Sequence, residues 1–154
     1  VSIKKGSKLL VRQISAIIIV FIILWLVGRV FSAELNRIVI VDTTVMGKPI
    51  SLNVTQLASL ILVLIMVVLI KGMGEPLSLI YQEALKSKAP IASGVTDNIL
   101  NLVVIAILYM FLRSLVTSLM VVMLEERIAN IIYDLIFIIA GLATVYGIIK
   151  KLTE

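Results

Sequence analysis

Residues 99–124 read ILNLVVIAILYMFLRSLVTSLMVVML, and one charge, Arg113, interrupts the run. A helix of this kind is apolar all round, and a soluble chain of 154 residues cannot cover it. Crossing the hydrocarbon core of a bilayer takes about 20 apolar residues. Three further runs reach that length, at about 13–32, 54–73 and 129–149. Apolar residues make up 61% of the chain and charged residues only 15%. An ordinary soluble domain is about half apolar and about a quarter charged. The mean hydropathy, +1.19, points the same way. Open strands in lipid would leave backbone groups unpaired, so the runs must be helices. The expected fold is an all-α integral membrane protein, with residues 1–154 forming a single four-helix transmembrane domain in the lipid bilayer.

Lys4, Lys5, Lys8 and Arg12 precede the first run, as the basic residues of a signal sequence would. The run is too long for a signal core, and Phe31 stands where cleavage after Ala33 would want a small residue. It is expected to be a retained first helix. Basic residues then orient the chain. Lys4, Lys5, Lys8, Arg12, Lys71, Lys86, Lys88, Lys150 and Lys151 fall on one side, and Arg29, Arg37, Lys48 and Arg127 on the other. The richer side is cytoplasmic, so the expectation is a multi-pass cell-membrane protein with both termini inside. The net charge of +5 belongs to these flanks and does not indicate nucleic acid.

The outer connection, 36–55, has β-branched residues from Arg37 to Asp42, turn residues Gly47, Lys48 and Pro49, and alternation from Ser51 to Thr55. It reads as a small β-hairpin that needs a neighbour or another copy to pack on. Asn53-Val54-Thr55 matches a glycosylation acceptor but lies too close to the second helix to be used. Gly72-Met73-Gly74 reads as a helix end. In the inner connection, Leu77, Ile80, Tyr81, Ala84 and Leu85 share one face. That predicts a short cytoplasmic amphipathic helix over 76–87, lying on the membrane surface. Pro90 and Gly94 should end it, and Thr96 or Asp97 should cap the third spanning helix.

Arg113 is the residue with the most to explain, because a charge in mid-bilayer is costly and normally faces protein or water. At 100° per residue, Asn98, Asn101, Tyr109, Arg113 and Thr117 form a stripe on the third spanning helix. On the fourth, Asn130, Tyr133, Asp134, Ala140, Gly141 and Thr144 share a face. Arg113, Asp134, Tyr109, Thr117, Asn101, Tyr133 and Thr144 are therefore the candidate residues of a polar seam between these helices. The competing reading is packing glue, with Arg113 snorkelling to an interface. With a turn near Glu125–Arg127, Asp134 would lie nearer the outside than Arg113. Side chains lean toward their own N-termini and would diverge. A direct ion pair would then need a bend, a long Arg reach or a water. Arg29 and Lys71, at helix ends, read as interfacial anchors.

The stretch AIIIVFIILWLVGRVFSAELNRIV, with its apolar run ending in Gly28-Arg29, resembles the conserved transmembrane helix of small-conductance mechanosensitive channel-like proteins. The resemblance covers about a sixth of the chain and lacks the soluble β-rich domain of those channels. It implies a homo-oligomeric, channel-like assembly and no particular pore residue. Residues 14–32 and 99–117 also align without gaps, with Arg29 and Arg113 one position apart, which suggests two parallel helix hairpins.

The chain has no Cys and no His, so thiolate nucleophiles, disulfides and imidazole bases or ligands are excluded. No nucleophile–base or metal-ligand motif is present. The expectation is a non-enzymatic membrane protein without catalytic residues, metal or cofactor. It would act as a homo-oligomeric channel-like assembly or as a subunit among other membrane subunits. The alternative is a structural or scaffolding module that binds partners through its outer hairpin and inner helix.

Overall fold

The structure, a computed structural model, describes residues 2–154 and is mostly helical. Helix α1 (Ser2–Trp25) runs into a π-turn (Leu26–Val30) and a short α2 (Ser32–Leu35). Strands β1 (Val39–Val45) and β2 (Lys48–Asn53) follow, then α3 (Val54–Lys71) and α4 (Gly74–Ala84). A 3₁₀ turn (Lys86–Lys88) leads to α5 (Ala89–Met120), and a turn to α6 (Glu126–Thr153). Four helical segments are long and apolar enough to cross a membrane: Ile3–Val30, Val54–Ala84, Lys86–Met120 and Glu126–Thr153. That is consistent with a multi-pass membrane protein.

These segments overrun the expected spans, and the overrun changes the reading of the inner connection. The predicted amphipathic helix is present as α4, but it does not stand apart from the bundle. It lies antiparallel along the first turns of α1 and also packs on α5. The Ile3 amide donates to Glu83 Oε2 at 2.8 Å, and the Tyr81 and Thr96 hydroxyls lie 2.9 Å apart. Gly6 makes the α1–α4 approach possible: a Cβ there would meet the Pro76 carbonyl oxygen and an Ile80 side-chain carbon at 2.8 Å. Small residues allow this closeness between helices. Leu77, Ile80 and Tyr81 of the apolar stripe are half-buried in this packing, while Ala84 and Leu85 stay exposed. Pro90 and Gly94 do not terminate the segment. Pro90 sits in the first turn of α5, where its missing N–H costs nothing, and Thr96 and Asp97 lie inside that helix.

The hairpin forms as expected, with a tighter turn. Met46 (φ 53°) and Gly47 (φ 79°) make a two-residue turn, and Lys48 already pairs with Val45. Two consecutive positive φ values define the type I′ turn that matches strand twist. The second strand stops at Asn53, which becomes the N-cap of α3. Its Oδ1 accepts from the Gln56 amide at 2.9 Å while Gln56 Oε1 accepts from the Asn53 amide at 3.0 Å. This reciprocal capping box ends the strand and starts the helix within one residue. Strand β1 is exposed along its whole length, whereas Ile50, Leu52 and Asn53 of β2 are half-buried.

The buried core joins three helices: Leu24 of α1, Val63, Met66 and Ile70 of α3, and Leu100 of α5. Helix α6 is outside it. It packs extensively on α5 and on no other helix to a comparable degree, with Ala129 and Tyr133 as its buried contacts. The seam between α5 and α6 therefore runs along one flank of the bundle.

Candidate polar seam

Four of the seven predicted seam residues come together. Arg113 Nη1 donates to Asp134 Oδ1 at 2.7 Å and to the Tyr109 hydroxyl oxygen at 2.7 Å. The Tyr109 hydroxyl donates to the same Asp134 oxygen at 2.8 Å. Asn130, on the polar face of α6, accepts from Arg113 Nη2 at 3.4 Å. The guanidinium carbon lies 5.5 Å from the Tyr109 ring centre and 5.7 Å from that of Tyr133, within cation–π range. The two tyrosine rings stack at 5.5 Å, and Phe137 closes on Tyr133 at 4.7 Å. The Tyr133 hydroxyl crosses to the backbone of α5, donating to the Tyr109 carbonyl at 2.8 Å.

Helical spacing explains the assembly. Tyr109 and Arg113 are four apart on α5, and Asn130, Tyr133, Asp134 and Phe137 follow the i, i+3, i+4, i+7 pattern on α6. The direct ion pair contradicts the divergence expected from a turn at Glu125–Arg127. Helix α5 stops at Met120 and α6 starts at Glu126. Arg113 is then seven residues before the end of its helix, and Asp134 eight after the start of the next. The two lie nearly level, with Asp134 about one residue-rise (~1.5 Å) deeper. The N-terminal lean of each side chain now carries them toward one another. A capping interaction from the hairpin accompanies the early stop: Lys48 Nζ donates to the Val121 carbonyl at 2.9 Å. Cations are favoured at such unsatisfied carbonyls.

The other three candidates are elsewhere. Thr117 and Thr144 bond back to the carbonyls of Arg113 (2.6 Å) and Ala140 (2.8 Å) on their own helices. Asn101 accepts from Lys71 of α3. One turn earlier, Lys151 of α6 donates to the Gly94 carbonyl (3.1 Å) and Asn98 Oδ1 (3.4 Å) of α5. Lys71 and Lys151 therefore tie helices together, a role that their terminal positions did not reveal. Asn98 and Asn101, three apart on α5, were the available signal. Leu102, Ile105 and Ala106 separate this polar cluster from the one around Arg113. They help to line a groove of about 390 Å³ with Tyr109, Asp134 and Phe137. The polar stripe is two clusters with an apolar gap, not one continuous path. Among the described residues no group of three or more acidic side chains gathers as a metal donor set.

No protein-family model matches this chain, and neither a curated protein nor a solved structure shows significant similarity to it. Any functional reading rests on its own residues.

Proposed function

We propose that this is a non-enzymatic membrane protein that works as a homo-oligomer of channel-like build, or as a subunit of a larger membrane complex, with the α5–α6 seam as its functional contact. In this reading both termini, Lys86 and Lys88 lie in the cytoplasm of a multi-pass cell-membrane protein, and the hairpin with Lys48 lies outside. The observation that carries the proposal is an ion pair about two turns inside two apolar helices that stays open on the bundle's flank. The Arg113 and Asp134 side chains are 38% and 39% exposed. Lipid is a poor neighbour for that surface, because charge in the hydrocarbon is costly unless protein or water covers it. A second copy of the same face, or another subunit, would supply the cover. The resemblance of the first helix to mechanosensitive channel-like proteins favours the oligomer.

Native mass in nanodiscs tests this, combined with cross-linking of an Ile138→Cys variant on the rim of the groove. The expected result is a mass above one chain and a cross-link between copies or to a co-purifying subunit. A single-chain mass with no partner would sink the proposal. Liposome flux that disappears in Arg113→Leu would assign the seam to permeation. The alternative, a scaffolding module, draws on the hairpin, where Val39, Ile40 and Met46 are 49%, 48% and 73% exposed. It is favoured if the cross-link forms through Met46→Cys and not through Ile138→Cys.

A further inference from the structure

At the other arginine of the matched stretches, the surroundings reverse. Phe21, Leu24, Trp25 and Gly28 share one face of α1 and its π-turn, by the helical spacing i, i+3, i+4, i+7. With Phe111 of α5 and Arg29 they line a crevice of about 230 Å³. Leu24 is its buried floor, and Phe21 and Trp25 are walls about half exposed to the surroundings. The space beside Gly28 is open, since a Cβ there would meet nothing within 4 Å. The turn is a widened one, in which the Phe31 amide reaches back five residues to the Leu26 carbonyl at 2.9 Å. Such turns interrupt otherwise regular helices at functional sites.

Arg29 stands on this turn beside the crevice. Among the described residues no hydrogen bond or ion pair reaches its guanidinium, and the nearby Glu34 is engaged with Arg37 at 3.9 Å. From Phe21 to Arg29 the crevice runs about eight residues along the helix, roughly 12 Å. It joins an apolar, aromatic-walled slot to an unpaired cation at the end of a span. Those are the requirements of an acyl chain and a phosphate on the same molecule.

We propose that this crevice binds a net-anionic phospholipid, with its phosphate on Arg29 and part of one acyl chain between Trp25, Phe21 and Phe111. The proposal rests on the reading that these helices cross a membrane. Selectivity here would be local. The residues at this end, Arg29, Arg37, Lys48 and Arg127 against Glu34, Asp42, Glu125 and Glu126, sum to zero charge. A diffuse surface potential, which attracts anionic lipid to basic flanks, is therefore absent.

Trp25 is the only tryptophan in the chain, so its fluorescence reports on the crevice directly. The full chain is reconstituted in phosphatidylcholine–phosphatidylglycerol vesicles in which one lipid or the other carries brominated, quenching acyl chains. The expected result is an apparent affinity of the crevice for phosphatidylglycerol severalfold above that for phosphatidylcholine. Arg29→Gln should bring the ratio to one, and Gly28→Leu, which fills open space, should reduce quenching by both lipids. A ratio of one in the unaltered protein, or a preference that survives Arg29→Gln, overturns the proposal. A preference abolished by excess inorganic phosphate assigns the site to free phosphate and overturns the lipid. Trp25 untouched by either brominated lipid would overturn the spanning reading itself, an outcome distinct from equal quenching by both.

Discussion

Arg29 and Arg113 occupy almost the same place in two stretches that align without a gap, and the fold treats them oppositely. Arg113 is held by Asp134, Tyr109 and Asn130 and lies against two tyrosine rings. Arg29 has none of this. Their own helices do not make the difference, since both are apolar runs with one late cation. The neighbours do. Helix α6 returns at once after a short turn and presents an acid level with Arg113. Helix α3 returns only after a hairpin and carries no acid over its whole length, VTQLASLILVLIMVVLIK. The π-turn at Leu26–Val30 also falls where the one-residue offset between the arginines lies. A π-turn accommodates one extra residue in a helix. Whether the arginine of an apolar helix gains a partner is thus decided by the helix beside it.

The comparison is broken most severely from the acid side. Asp134→Leu would leave Arg113 without its counter-charge on an apolar helix flank, where a lone charge is costly. Thermal melting in detergent should show a fall of many degrees for Asp134→Leu, and substantial recovery in the Arg113→Leu, Asp134→Leu double variant. Neighbouring groups in one network are non-additive. Simple addition of the two single effects would show that the pair is incidental to the fold.

A milder perturbation separates the network from the pair. Tyr109→Phe removes the hydroxyl that bridges Arg113 and Asp134 and keeps the ring that stacks on Tyr133. The direct contact at 2.7 Å remains. The expected loss of melting temperature is a fraction of that from Asp134→Leu. A loss as large would make the hydroxyl, not the salt bridge, the centre of the seam.

Much of this arrangement was legible beforehand. The four apolar runs, the outer hairpin, the short helix after Gly72-Met73-Gly74 and the facing polar stripes all come from composition and periodicity. The register of α5 against α6 did not. Val121, Val122, Met123 and Leu124 are as apolar as the helix before them, so nothing local marks the end at Met120. The carbonyl that Lys48 contacts belongs to Val121, and this lysine is 73 positions away in the chain. A turn centred about three residues earlier than Glu126 is enough to bring Arg113 level with Asp134. The docking of α4 was hidden for a related reason. An apolar stripe fits lipid or helix equally well, and the close approach to α1 depends on the bare backbone of Gly6. Asn101 and Thr144 have the right angular position for the seam, but each found a partner closer to hand.

The smallest effect is expected at Arg29, and it carries the most information about the comparison. Arg29→Leu removes a cation with no partner among the described residues, in a turn with open space beside it. Substitutions that touch nothing change stability little. Melting should match the unaltered protein, while the preference of the Trp25 crevice for anionic lipid is lost. Stability and lipid selectivity would then separate at Arg29, whereas Asp134→Leu would damage stability and leave the crevice intact. Should Arg29→Leu instead melt early, and the more so in nanodiscs than in detergent, Arg29 would have a partner that only the assembled particle supplies. The two arginines would then be alike after all, each compensated by protein, and their difference would lie in whether the partner belongs to the same chain.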